Sequence, residues 1–175
     1  MSKSLPKPWL RDWGLELLQE CGKIEQQSSG KAHKKFKASR LKSRMVQVTG
    51  VDAEMNLLTI NDKSTTVTAM LTKGCVEEIL NDYESLEELR NSVVTLSGGS
   101  YHMSTVYQCA GTRDVKKMRG GKGFSLPLAI QVSNLSQTGA TDLEIFTDDA
   151  GNMPTDLNHT KEVRDALKEL TYVCK

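Results

Sequence analysis

The sequence predicts a mainly β fold: an OB-type, five-stranded Greek-key barrel. Flanking N- and C-terminal helices and a helical insert between strands 3 and 4 complete it. Three observations carry this. Apolar-alternating, β-like segments follow closely at Arg44–Val51, Asn56–Asn61 and Thr65–Leu71. A short acidic helical stretch, Gly74–Arg90, comes next. Ser92–Leu96 then returns as a strand. With 175 residues and 38% apolar side chains, one domain with a real core is expected over 1–175.

The elements follow in order. Residues 1–7 form a loose leader. Pro8 suits a first helical turn, where its missing N–H costs nothing. Trp9, Trp13 and Leu17 recur at helical spacing and Gly22 is a natural stop, so a leader helix is expected over 8–22. Its stripe holds both tryptophans, as core or as an exposed protein contact. Residues 23–43 are polar and Lys-rich and read as a flexible basic loop. The barrel is expected over 44–136. Asn61-Asp62-Lys63-Ser64 has strong turn chemistry between the second and third strands. The insert puts Val76, Ile79 and Leu80 inward, and Tyr83–Arg90 continues it as a second helical piece. Tyr101–Gln108 and Ser125–Leu135 supply the remaining strands. Residues 112–123, with three glycines, form a second flexible basic loop. An acidic loop over 136–157 contains a short apolar piece, Leu143–Phe146. A final helix over 158–173, capped by Asn158 or Thr160, turns Val163, Ala166, Leu167 and Leu170 inward.

Charge is balanced overall, at +1, but segregated along the chain. Lys31–Arg44 carries seven Lys/Arg and no acid, and Gly74–Arg90 carries six acids and one Arg. Asp142–Asp156 carries five acids and no base. Such blocks are commonly solvated faces and less often partner surfaces. Cys21, Cys75, Cys109 and Cys174 are widely spaced, without a CxxC or Cys/His cluster, so free structural thiols and no metal are expected. No signal core or membrane-length apolar run occurs. A cytosolic or nuclear monomer is the expectation, with no membrane partner.

Catalytic patterns are missing. His33, His102 and His159 stand apart from Cys or carboxylate ligand spacings. There is no G-x-S-x-G, no H-E-x-x-H and no phosphate loop of the G-x-x-x-x-G-K type. Asp148-Asp149 are sequence neighbours in a loop, which point apart. No enzyme, no catalytic residue and no cofactor are expected. Single-strand-binding OB domains stack bases on aromatic side chains. Residues 44–71 contain no Phe, Tyr or Trp. The alternative of a single-stranded nucleic-acid binder therefore rests on the basic loops, through Lys34, Lys35 and Lys37 and through Arg113, Lys116, Lys117 and Arg119.

Several short motifs then come in order: Pro8-Trp9-Leu10, Ile60-Asn61-Asp62-Lys63-Ser64, Cys75-Val76 and Val132-Ser133-Asn134-Leu135-Ser136. Together they resemble the ever-shorter-telomeres protein three family, the small telomerase regulatory subunit of budding yeasts. They are similar, more distantly, to the N-terminal OB domain of the shelterin protein called the adrenocortical dysplasia homologue. The resemblance spans roughly 8–22 and 44–150. It implies a noncatalytic, nuclear subunit of the telomerase ribonucleoprotein, acting at telomeres. Its partner is the N-terminal region of the telomerase catalytic subunit. The contact surface falls on Glu88 and Asn91, with Glu84, Glu87 and Arg90 nearby and Trp9 in the leader. Acidic positions fall on Asp62 and Asp149. Two departures stand out: Gln47 and Gly50 occupy first-strand positions expected to be basic, and 112–123 looks like an insertion. Independently, Glu84, Glu87 and Glu88 fall within one or two helical turns, which would present a common acidic patch. Asp62 is expected to bond the turn backbone or pair with a base.

Overall fold

The computed structural model describes Leu5 and residues 7–27, 42–105, 128–138 and 144–170. A curled, mainly antiparallel sheet dominates. Strand β1 (Arg44–Asp52) pairs with β2 (Leu57–Asn61), and β2 pairs with β3 (Thr65–Leu71). On its other edge β1 pairs with β4 (Val93–Leu96). β5 (Tyr101–Thr105) pairs antiparallel with β6 (Leu128–Val132), which runs parallel to β3. β7 (Leu135–Gln137) pairs with β4, and the two-residue β8 (Thr155–Asp156) lies parallel to the start of β3.

Period-two alternation decides which side of the meander faces in. Val46, Val48, Leu58, Ile60, Val67 and Ala69 point into the core and are at most 2% exposed. Gln47, Thr59, Asn61, Thr66 and Thr68 take the outer face. A bulge between Val48 and Gly50 corrects the register, so that Val51 again faces inward opposite Leu58.

The closing strand divides. Of the run expected as one strand, Ser125–Leu135, the described part forms β6 and enters β7 at Leu135, with a break at Ser133 and Asn134. The β4–β5 link sits against this break. Ser133 N donates to Ser100 O at 2.8 Å, and Ser97 N donates to Asn134 O at 3.3 Å. The expectation of five continuous strands thus gives way to eight shorter ones among the described residues.

Helix α1 (Leu10–Gln27) starts after Trp9 and runs through Gly22, five residues beyond the expected stop. Part of the expected basic loop 23–43 is therefore helical. A lone glycine costs a helix about 1 kcal/mol, too little to end one by itself. Gly14 instead serves close packing: a Cβ there would sit 3.3 Å from Leu157 Cδ2. Helix α3 (Lys161–Leu170) packs beside α1, and Arg11 and Glu162 form an exposed ion pair between them at 2.9 Å. Asn158 is not its cap. Its side chain accepts from Leu128 N and donates to Leu128 O, tying the 3-10 turn Leu157–His159 to β6.

The insert is two pieces, as expected, the second a 3-10 turn. Helix α2 (Lys73–Asp82) is capped by Thr72, whose hydroxyl accepts from Cys75 N. It ends at Tyr83, and a separate 3-10 turn, Leu86–Leu89, follows with Ser85 as its cap. Leu80, expected inward, is 45% exposed. Ile79 is buried as expected, and Cys75 is buried with it. Burial, with Glu78 adding to it, raises the Cys75 thiol to about 11.

Two outcomes follow. Leu89 is fully buried, so Leu89→Ala should cost about 2–5 kcal/mol in urea unfolding. At pH 8 an acidity of about 11 leaves Cys75 some 100-fold less thiolate than its ordinary value of 9.0 gives. Iodoacetamide labelling of the Cys75 peptide, followed by mass spectrometry, should be slower by about that factor in the folded protein than in urea.

Candidate protein-interaction site

The turn joining β2 to β3 fixes much of what surrounds the site. Asp62 is 1% exposed and its carboxylate is filled by main-chain donors. Oδ1 accepts from Ser64 N at 3.2 Å and Thr65 N at 2.9 Å, closing the turn. Oδ2 accepts from Trp9 N and Leu10 N, both at 2.7 Å. The second pair lies at the start of α1, where the first N–H groups have no partner within the helix and the dipole favours an anion. Asp62 thus caps a helix 52 residues away in sequence. Of the roles expected for it, bonding to backbone is the one realised.

That capping seats an aromatic cluster. Trp9 packs on Trp13 and Tyr101, with ring centroids 5.6 and 5.9 Å away, and the Arg44 guanidinium lies 5.4 Å over the Trp9 ring. Trp9 is only 9% exposed. It is therefore a core residue, one of the two roles that the leader helix left open. Trp13, half-buried, is the outer member. The Tyr101 hydroxyl donates to Lys42 O at 2.6 Å.

The acidic face lies on the 3-10 turn. Leu86 and Leu89 anchor it in the core, so Glu84, Glu87 and Glu88 stay exposed. These acids do not share one helix, as the sequence suggested: Glu84 stands in the link before the turn, and Glu87 and Glu88 on the turn itself. Arg90 is committed within the molecule. Its guanidinium bonds Glu87 at 2.9 Å and Val51 O at 3.3 Å, strapping the turn to β1. Asn91 adopts a left-handed backbone, φ +61°, and its N–H donates to Val48 O at 2.7 Å. Ser92 O accepts from Val48 N at 2.9 Å. The turn, Asn91 and β1 are thus held as one rigid block that carries acids outward.

The outer face of β1, β2 and β3 is poor in nucleic-acid chemistry. It carries threonines, the partly exposed Met45, Leu57 and Met70, and the buried amides Gln47 and Asn61, with no aromatic side chain and no basic stripe. Lys34, Lys35, Lys37, Arg113, Lys116, Lys117 and Arg119 all lie outside the described residues. Gln47, at a position expected to be basic, is fully buried and bonds the chain near Phe146. At Gly50 a Cβ would press on Thr59 Oγ1 at 3.0 Å, so a side chain there would need Thr59 to shift. Asp149 is exposed in a turn. Its neighbour Asp148 does the structural work: hydrogen bonds from Asn152, backbone and side chain, and from Ala150 and Gly151 hold its carboxyl below the usual range. Among the described residues no group of His, Cys, Asp and Glu could hold a metal ion, and no helix is long and apolar enough to cross a membrane. The buried amides Gln47 and Asn61 escaped sequence reading because their partners lie 97 and 85 residues away.

By its fold and site the chain falls in a broad class: a mainly β, curled-sheet protein with a pinned acidic surface. Among solved structures it is similar to the Est3 telomerase subunit of the yeast Hansenula polymorpha, at 12% identity and a TM-score of 0.47, over 81% of this chain and 89% of that one. No family model matches the chain, and no curated protein matches it.

Because Trp9 and Trp13 are the only tryptophans, their emission reports directly on the docking of α1. Asp62→Ala strips four backbone N–H groups of their acceptor. It should cost about 3 kcal/mol or more and shift tryptophan emission to the red. Asp62→Asn keeps one acceptor oxygen and should fall in between.

Proposed function

We propose that this chain is a noncatalytic regulatory subunit of telomerase. In this reading it is a monomeric OB-type module, nuclear and acting at telomeres, that binds the N-terminal region of the telomerase catalytic subunit through protein contacts. One observation supports binding by this face: hydrogen bonds tie Leu86–Asn91 to β1 with Glu87 and Glu88 exposed on the turn and Glu84 exposed just before it. A preorganised acidic face steers a basic partner and repels acidic ones. Arg90 serves it by holding the turn. The partner's identity rests on the resemblance of the ordered motifs from Pro8 to Ser136.

The OB reading has its own support. If β4 and β5 are one bent strand and β6 and β7 another, the pairings reduce to five strands in a closed circuit. β1 then neighbours β2 and the β4–β5 strand, and β3 neighbours β2 and the β6–β7 strand. The Ser100–Ser133 and Ser97–Asn134 hydrogen bonds carry the ladder across both bends.

Glu88→Lys is the cleanest test. Glu88 is exposed, so circular dichroism should be unchanged. Immobilised wild-type chain should capture telomerase activity from cell extract, and Glu88→Lys should capture at least about tenfold less, the factor that corresponds to 1.4 kcal/mol. Equal capture by both would discard the acidic face. Capture by neither would overturn the telomerase reading and leave the nucleic-acid alternative, which salt-steep oligonucleotide binding would then reveal. For Asn91 the informative change is to Gly. Alanine would strain the left-handed backbone, whereas glycine removes only the amide.

A further inference from the structure

Between β7 and α3 the chain crosses the outer side of the β1–β2 ladder as a strap, residues 144–156. Two fully buried amides hold its first limb. Gln47 Nε2 donates to Glu144 O at 2.8 Å, and Gln47 Oε1 accepts from Phe146 N at 2.9 Å. Asn61 Nδ2 donates to Phe146 O at 3.0 Å. The two side chains meet alternate residues of the strap as a neighbouring strand would. The second limb is tied by β8 on β3 and by Thr155 N donating to Ser64 O at 3.0 Å. Between the limbs the chain reverses tightly. Asp148 Oδ1 accepts from Ala150 N and Asn152 N, and Asp148 N donates to Asn152 O.

Buried amides are costly unless every polar group finds a partner. Here their partners are the strap's own backbone, so the barrel wall carries two amides whose bonds immobilise this segment. What the segment shows outward is unusual. Ile145 is 40% and Met153 61% exposed, and they are two of the three large apolar side chains exposed among the described residues. The reversal sets them on neighbouring limbs. The same segment carries Glu144, Asp148, Asp149 and Asp156, and no Lys or Arg occurs from 144 to 160.

We propose that the strap is a second docking surface, which takes a basic protein segment whose apolar side chains cover Ile145 and Met153. The charge dictates a cationic occupant, and the exposed pair requires that it also be apolar. A strap already fixed at both ends loses little conformational freedom on binding. This surface involves none of residues 84–91, and its test needs no telomerase.

The test uses amide chemical-shift titration of the full chain with an alternating Lys/Leu heptapeptide. Shifts should centre on 144–153 and saturate. An alternating Lys/Gly peptide, and the double variant Ile145→Ser with Met153→Ser, should each weaken binding about tenfold, while Glu88→Lys leaves it unchanged. Both changed side chains are exposed, so tryptophan emission should confirm an intact fold. Shifts spread evenly over the acidic surface, shifts centred on 84–91, or equal affinity of the double variant would each overturn the proposal, leaving only diffuse charge attraction.

Discussion

The Asp62 carboxylate is the interaction on which the rest of this structure depends. One buried side chain closes the β2–β3 turn with two main-chain bonds and caps α1 with two more. The neighbouring Asn61 binds Lys63 N and Phe146 O, and Ser64 O holds the second limb of the strap. A single four-residue turn therefore orients the N-terminal helix, the aromatic cluster and the strap together. The left-handed Lys63, φ +92°, is retained because these bonds over-determine it.

This arrangement explains where the aromatic residues went. An OB-type sheet that binds single strands needs ring faces on its outer surface. Here Trp9 and Tyr101 are consumed in joining α1 to the sheet, and Trp13 packs against them. The outer face keeps threonines and two amides, and these amides are spent on the chain's own strap. Among the described residues, acids stand exposed on the pinned 3-10 turn and on the strap. Both are segments without long regular structure, made rigid by side chain-to-backbone bonds.

The insert shows how local and tertiary preferences divide. Its leucines at 86 and 89 are spaced for either an α-helix or a 3-10 turn. Ser85 caps a new start, and the Tyr83 hydroxyl donates to the Gln137 side chain, fixing the break between α2 and the turn. Arg90 looks on the sequence like one more surface charge beside Glu87 and Glu88. Its second bond, to Val51 O, makes it a brace instead.

Local patterns in the chain suffice for the strands of the meander, the turn at 61–64, helices at both ends and the lack of recognisable catalytic motifs. Those features are local: alternation of Val, Ile and Thr, the turn propensity of Asn-Asp, and the spacing of apolar residues are readable over fewer than ten positions or so. The extent of α1, the division of the closing strand, the burial of Trp9 and Gln47 and the double duty of Asp62 emerge only in the packed chain. Each of these turns on a partner tens of residues away. A carboxylate in a turn reads the same whether it faces water or the first N–H groups of a helix, and only the packed chain brings those groups within reach.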